Sequence, residues 1–496
     1  MRPIGRRAFL RGAGAVTAGA LLGGTRAWTS AGDVDLVSLR SDPRAALAAL
    51  GKATLRSPGS LPDPSLPPGT ETLHGIEHIV VLMMENHSYD NFFGMLPPGR
   101  ANGTANGGFD LTTATNPRPD GKVQHAFHMP ATCQLSSQPS QEWTASHVAY
   151  DGGKNDGFVR APISFNDSTP VGPVAMGYWT GQDLPFTYSL AQAFPIADRW
   201  FCSVLGQTDP NRRYLIAATS SGMVDDIALP STSSVPGLGT LEADALLAVP
   251  AGGTIFDLLS AFQISWADYT ASYPTGTTAE LYPVNDAAVT AVNEKPVDQF
   301  FVDCANDALP AFALVDPDFS TQSQENPQDI SVGEAFLAKV VQAIGGNPRT
   351  WASTMLVVVY DEHGGYYDHV PPPAALAPDL IGPVVQPGQS TYDGFCRYGF
   401  RVPAVVVSAY AVANGVTHVL HDHTSILAMV ERKWNLPALT CRDANANDLT
   451  DFLDMSALAK GTPTIATVPA LAAPGASNCP TGWQQQIPPP GSVTSS

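Results

Sequence analysis

Four apolar runs constrain this chain more than any other feature: IEHIVVLMM, AFALVD, TMLVVVYD and VPAVVVSAY. Each is short, β-branched and continuous rather than alternating, as in a strand buried on both faces. Helical patterns lie between and after them, among them SVGEAFLAKVVQAIGG with a glycine stop, and HTSILAMVERKWNL. Buried strands alternating with helices predict an α/β fold, a central mostly parallel sheet covered by helices on both faces. In open sheets of this kind ligands bind beyond the carboxyl ends of the strands. The residues that follow each run are therefore the first place to look for chemistry.

Two runs end in polar clusters. Ile79 to Met84 gives way to Glu85-Asn86-His87, and Leu356 to Tyr360 to Asp361-Glu362-His363 and two glycines. Glu85 and Asn86 offer adjacent oxygen ligands, which suits a hard divalent cation; the bland alternative is a turn. Asp361 and Glu362 repel each other unless a cation or a proton intervenes. A third cluster, GQTDPNRRYLIAATSSG, predicts a helix with Thr208 as its N-cap. A hydroxyl there meets free N–H groups and the positive end of the helix dipole, a setting that favours phosphate. Asn211 and Arg212, within the next turn, are candidates for phosphate contact; a plain capping threonine is the alternative. The fourth cluster holds His418, His421, Asp422 and His423 just before a helix. Together these form the inventory for a metal-activated threonine attacking phosphorus, with a histidine protonating the leaving group.

The chain is divided as follows. Residues 1–31 carry Arg6-Arg7 and a short, glycine-rich apolar stretch, which predicts a twin-arginine signal and a secreted or cell-envelope protein. Residues 32–72 predict a helix and a Pro-rich linker, 73–456 the catalytic domain, and 457–496 a Pro/Ala-rich tail, loosely packed or wrapped on the surface. Net charge is −19, so binding nucleic acid would release no counterions and is not expected. The six cysteines contain no CxxC pair, and their pairing cannot be ranked from sequence.

The segments MMENHSYDNFFG, GGKNDGF, FPIADRWFCSVLGQTDPNR, DEHGGYYDHVPPP and HDHTSIL occur in this order over roughly residues 75–455. In them the chain resembles the bacterial phospholipase C and acid phosphatase family of phosphoesterases. The resemblance implies an alkaline-phosphatase-like fold and one divalent cation, calcium, zinc or magnesium. It implies that Glu85, Asn86, Asp361 and Glu362, with Thr208, hold the metal. It further implies that Thr208 is the nucleophile, that Asn211 holds the phosphate, and that His147 and His423 match active-site histidines. One position departs from the pattern: where the family often has a histidine before proline, this chain has Asn326, and an amide cannot act as a general acid. The extra C-terminal domains of some long phospholipases C are also not matched.

The expected activity is hydrolysis of a glycerophospholipid phosphodiester through a phospho-threonine intermediate. The substrate is a phospholipid or other phosphoester, with peripheral contact to a membrane surface and no stable protein partner. An acid phosphatase acting on monoesters would use the same residues. A catalytically silent surface binding protein of the same fold is the competing reading from another class, and metal content would separate it.

Overall fold

Strands β1 (His78–Met84) and β6 (Thr354–Tyr360) are buried at all seven positions each. Burial on both sides of the pleat means that both faces of the sheet are covered, which explains why neither run alternates. In this computed structural model the described residues are 43–97, 108–133, 139–226, 252–271 and 292–481, with 232–235, 239–242 and the single residues 250, 273 and 281. The signal at 1–31 lies outside them.

Among the described residues the central sheet has eight strands. The others are β2 (Ile196–Ala197), β3 (Trp266–Thr270), β4 (Glu294–Pro296), β5 (Phe312–Val315), β7 (Ala404–Ser408) and β8 (Val416–Thr417). Their order is β4-β3-β5-β1-β6-β7-β2-β8. Every pairing is parallel except those of β7, which runs antiparallel to both β6 and β2. The α/β, mostly parallel architecture expected from the apolar runs is the one observed.

Register positions the site. Met84 lies opposite Tyr360, and the Asp361 N–H donates to the Met84 carbonyl at 3.0 Å. Glu85 and Asp361 therefore leave the sheet side by side. One strand over, Leu82 lies opposite Val315, so Asp316 follows at nearly the same height.

The helices that matter here are α1 (Pro43–Ala49), α2 (Trp143–Tyr150), α3 (Thr208–Ala217), α4 (Ile330–Gly346) and α5 (Thr424–Trp434). Helix α4 does not stop at its glycines: both lie inside it, and Asn347 ends it in extended conformation while capping the next short helix. Helix α5 ends at Asn435 in the left-handed region (φ 46°). The Asn435 amide donates to the carbonyls of Asp63, Leu66 and Pro67 at 3.0–3.1 Å. The Pro-rich stretch expected to be a linker is thus fastened to the body. Residues 461–481 also run over the surface with fixed anchors. Ile465 bonds Ala409 and Trp351, the Gly475 N–H donates to Glu334 at 2.6 Å, and Cys479 forms a disulfide with Cys133. Cys202, Cys304, Cys396 and Cys441 are outside any disulfide. No helix of the described residues is long and apolar enough to cross a membrane.

Candidate active site

The carboxyl ends of β1 and β6 meet the amino end of α3. Asn86 adopts a left-handed backbone (φ 67°), which asparagine tolerates better than most residues. Its N–H donates to Asp361 Oδ1 at 3.0 Å, and the Glu362 N–H donates to the same oxygen at 2.7 Å. Asp361 Oδ2 is left without a hydrogen-bond partner, as are Glu85 Oε2 and Glu362 Oε1, all three buried. Gly364 makes the turn possible. Its φ is 64°, and a Cβ there would stand 1.9 Å from the Asn86 carbonyl oxygen.

Thr208 is the first residue of α3 and not its N-cap. Gln207 holds the cap position in extended conformation. The hydroxyl, not engaged in capping, is directed to Asn86 Oδ1 at 3.4 Å, beside the Asp361 carboxylate. Thr208 is half-buried, while Pro210 to Ala217 behind it are buried, so an accessible hydroxyl sits on a rigid mount.

Asn211, expected at the phosphate, has its whole amide engaged by backbone. Its Oδ1 accepts the N–H groups of Ser203 and Val204, and its Nδ2 donates to the carbonyls of Val204, Gly206 and Gln207. A fully buried amide so engaged braces the loop that carries Thr208. Arg212 likewise turns inward. Its guanidinium lies 3.4 Å from Asp361, 3.6 Å from Glu85 and 3.8 Å from Asp316, over the Phe319 ring. Burial pulls the Arg212 pKa down, but Asp361, Glu85 and Asp316 together push it up by more. Burial raises Glu85 and Asp361 against the pull of Arg212, and burial followed by the neighbouring Asp361 raises Glu362 well above the usual carboxylate range.

The expected histidines are placed differently. His423 is buried, its Nε2 2.6 Å from the Asp361 carbonyl oxygen and its Nδ1 accepting the Trp200 indole N–H at 3.4 Å. Burial lowers the ring to about 4, so it is neutral at pH 7 with both nitrogens engaged. Its two ring nitrogens tie the end of β6 to Trp200. His147 bonds the Trp143 carbonyl at 2.7 Å, stacks on Tyr392 at 3.9 Å and lies 3.7 Å from Asp393. Its hydrogen-bond and ion-pair partners among the described residues do not include Glu85, Asn86, Thr208, Asp361 or Glu362. Asn326 donates to the Gly364 carbonyl at 3.3 Å and accepts from the Tyr366 hydroxyl at 2.7 Å.

Two residues escaped the reading of the sequence. Asp316 follows the run AFALV as Asp361 follows its own, the same signal in a weaker setting. Glu325 is half-buried beside the site, and burial and then Asp361 push its carboxyl up to about 7. Only the packing shows it.

The donor set fits a divalent cation. Three buried carboxylate oxygens without hydrogen-bond partners, with the Asn86 carbonyl and the Thr208 hydroxyl beside them, form an all-oxygen cradle for a hard metal. The cradle is wider than two other clusters. Among the described residues, ligating atoms of Asp90, Asp368 and His369 lie within 4.8 Å of one another, as do those of Cys133, Asp329 and Cys479. Arg401 already pairs with Asp90 and Asp368, and a disulfide joins the two cysteines.

A hydroxyl at a helix start, facing buried acids at the ends of parallel strands, defines a phosphoester-cleaving class of site. The model of the Phosphoesterase family matches residues 76–437, and the chain belongs to that family. It is a hydrolase acting on phosphoric ester bonds. Phospholipase C B of Mycobacterium tuberculosis is 30% identical over 433 residues, covering 78% of this chain and 79% of its own. Non-specific phospholipase C3 of Arabidopsis thaliana is 26% identical, covering 84% of this chain and 80% of its own. Among solved structures, a protein in the alkaline phosphatase superfamily from Vibrio parahaemolyticus covers 82% of this chain at 11% identity and a TM-score of 0.35.

Proposed function

We propose that this chain is a metal-dependent phosphodiesterase of phospholipase C type, releasing a phosphorylated headgroup from a glycerophospholipid. The observation that carries the reading is the Thr208 hydroxyl, 3.4 Å from Asn86 Oδ1, beside carboxylate oxygens of Glu85, Asp361 and Glu362 buried without hydrogen-bond partners. Relatives named phospholipase C in bacteria and a plant support the substrate class. Glu85, Asn86, Asp361 and Glu362 hold the cation, with Thr208 at its edge. When bound, a divalent metal supplies positive charge that favours the ionised hydroxyl and polarises a phosphoryl oxygen. Thr208 Oγ attacks phosphorus and the phosphodiester bond to the diacylglycerol oxygen breaks, leaving a phospho-threonyl ester that water hydrolyses. Asn211 keeps the attacking residue in position through the backbone of residues 203–207. Export through the twin-arginine route, peripheral contact with lipid, and the 1–31, 32–72, 73–456 and 457–496 division belong to the same proposal.

The test is hydrolysis by metal-loaded mature protein of phosphatidylcholine vesicles and para-nitrophenyl phosphate, side by side with Thr208→Ala. Diacylglycerol release that the variant loses supports the proposal. Cleavage of the monoester alone would replace the phospholipase reading with that of an acid phosphatase.

A further inference from the structure

The residues that form the cradle arrive on β1, β6 and α3, and one stretch of chain touches all three. It is the connection from β5 to α4, residues 316–329. The Ser323 carbonyl accepts the Glu85 N–H at 3.0 Å, just past the end of β1. The Asn326 amide donates to the Gly364 carbonyl at 3.3 Å, in the turn that follows β6. The Phe319 ring lies under the Arg212 guanidinium of α3, 4.7 Å from its centre. A connection this long without helix or strand is uncommon inside a compact domain and tends to carry function.

A single side chain holds this connection from within. Gln328 Oε1 accepts the N–H of Ser323 at 3.1 Å and that of Gln324 at 3.2 Å. Its Nε2 donates to the Phe319 carbonyl at 2.7 Å and to the Ser323 hydroxyl at 2.9 Å. An amide has two lone pairs and two N–H hydrogens to offer, and here all four serve residues 319–324. The pattern requires an amide. A carboxylate would set an acceptor against the Phe319 carbonyl, and an apolar side chain would leave both N–H groups and that carbonyl without these bonds.

We infer that Gln328 is a positioning residue of the active site. By fixing Ser323 and Phe319 it sets where the Glu85 backbone leaves β1 and how the Arg212 guanidinium stands between Glu85 and Asp361. The inference rests on the metal-dependent reading and adds a residue to it. Gln328 touches neither substrate nor cation. It acts through Ser323 on a ligand, and through Phe319 on the fixed positive charge 3.6 Å from that ligand.

The test is calorimetric titration of mature protein with calcium and, separately, with zinc, well below the melting temperature of each variant. Gln328→Met keeps the reach of the side chain and removes its four hydrogen bonds. Ser323→Ala removes only the hydroxyl partner and is the milder variant. Gln328→Met should bind the cation about 10–100-fold more weakly with the number of sites per chain unchanged. The cation concentration that gives half of full turnover of para-nitrophenyl phosphorylcholine should rise by the same factor. Ser323→Ala should shift both quantities in the same direction by less, and it carries the test alone if Gln328→Met does not fold. A merely structural role would lower the number of sites and leave the affinity of the folded molecules at the wild-type value. That result in Gln328→Met, or wild-type affinity in Ser323→Ala where Gln328→Met does not fold, would overturn the role of Gln328 and leave the metal-dependent reading standing. A wild type that binds neither cation would overturn both.

Discussion

His423 Nε2 lies 2.6 Å from the backbone carbonyl oxygen of Asp361, close enough to fix where that strand end sits. The ring donates to a carbonyl at one nitrogen and accepts an indole N–H at the other, which predicts a positioning role. A group behind a metal ligand typically contributes tenfold to a hundredfold to metal affinity. His423→Ala should therefore weaken divalent-cation binding by about 10–100-fold and slow good and poor leaving groups by the same factor. Calorimetric titration with metal checks the first effect and paired ester assays the second. Unchanged affinity with a selective loss on poor leaving groups would restore His423 as the acid.

Arg212 is the cation built into the site, facing Glu85, Asp316 and Asp361. Removing one partner of a buried ion pair strands the rest, at a cost of about 3–5 kcal/mol. Arg212→Met should lower the stability of metal-free protein by about that amount, and a saturating divalent cation should recover part of it. Urea unfolding with and without metal measures both terms. An equal loss in the two conditions would mean that Arg212 does not share the cation's surroundings.

Gly364 has a left-handed backbone and no room for a Cβ beside the Asn86 carbonyl. Gly364→Ala should cost more than the ~1 kcal/mol of the backbone conformation alone, because the Asn86–Gly364 contact must open. Activity and metal content should fall together, as read by metal analysis of the purified variant.

Glu431 lies buried far along the chain from these groups, and burial, then Asp443, raise its pKa well above the usual carboxylate range. Its raised folded-state value means that it favours the fold fully at pH below about 4.5, where the unfolded carboxyl is also protonated. That contribution is lost as pH rises through the folded value. Glu431→Gln should thus melt a few degrees above wild type at pH 8, and the gain should shrink toward pH 4. A difference in melting temperature that is constant with pH would contradict the assignment.

The sheet and the acidic ends of its strands were legible because their signal is local: a β-branched run followed by Glu85-Asn86 or Asp361-Glu362 needs no partner to be recognised. Thr208 was found for the same reason, although its place at the first helical position and not at the cap depends on Gln207 taking the extended conformation. What sequence could not supply was partnership. Asn211 and His423 carry the right chemistry, but Asn211 is bonded to backbone 4–8 residues away, and His423 to a carbonyl 62 and an indole 223 residues away. The Pro-rich stretch before β1 resembles a linker because nothing local shows that Asn435, some 370 residues on, binds its carbonyls.

The most direct measurement is the mass of the peptide carrying Thr208 after acid quenching of metal-loaded enzyme during turnover of para-nitrophenyl phosphorylcholine. If Thr208 is the nucleophile, part of that peptide gains one phosphocholine group, fragmentation places it on Thr208, and Thr208→Ala neither gains it nor turns over. Turnover by Thr208→Ala at the wild-type rate, with no adduct on the wild-type peptide, would show that water attacks phosphorus directly and that the hydroxyl only lines the site.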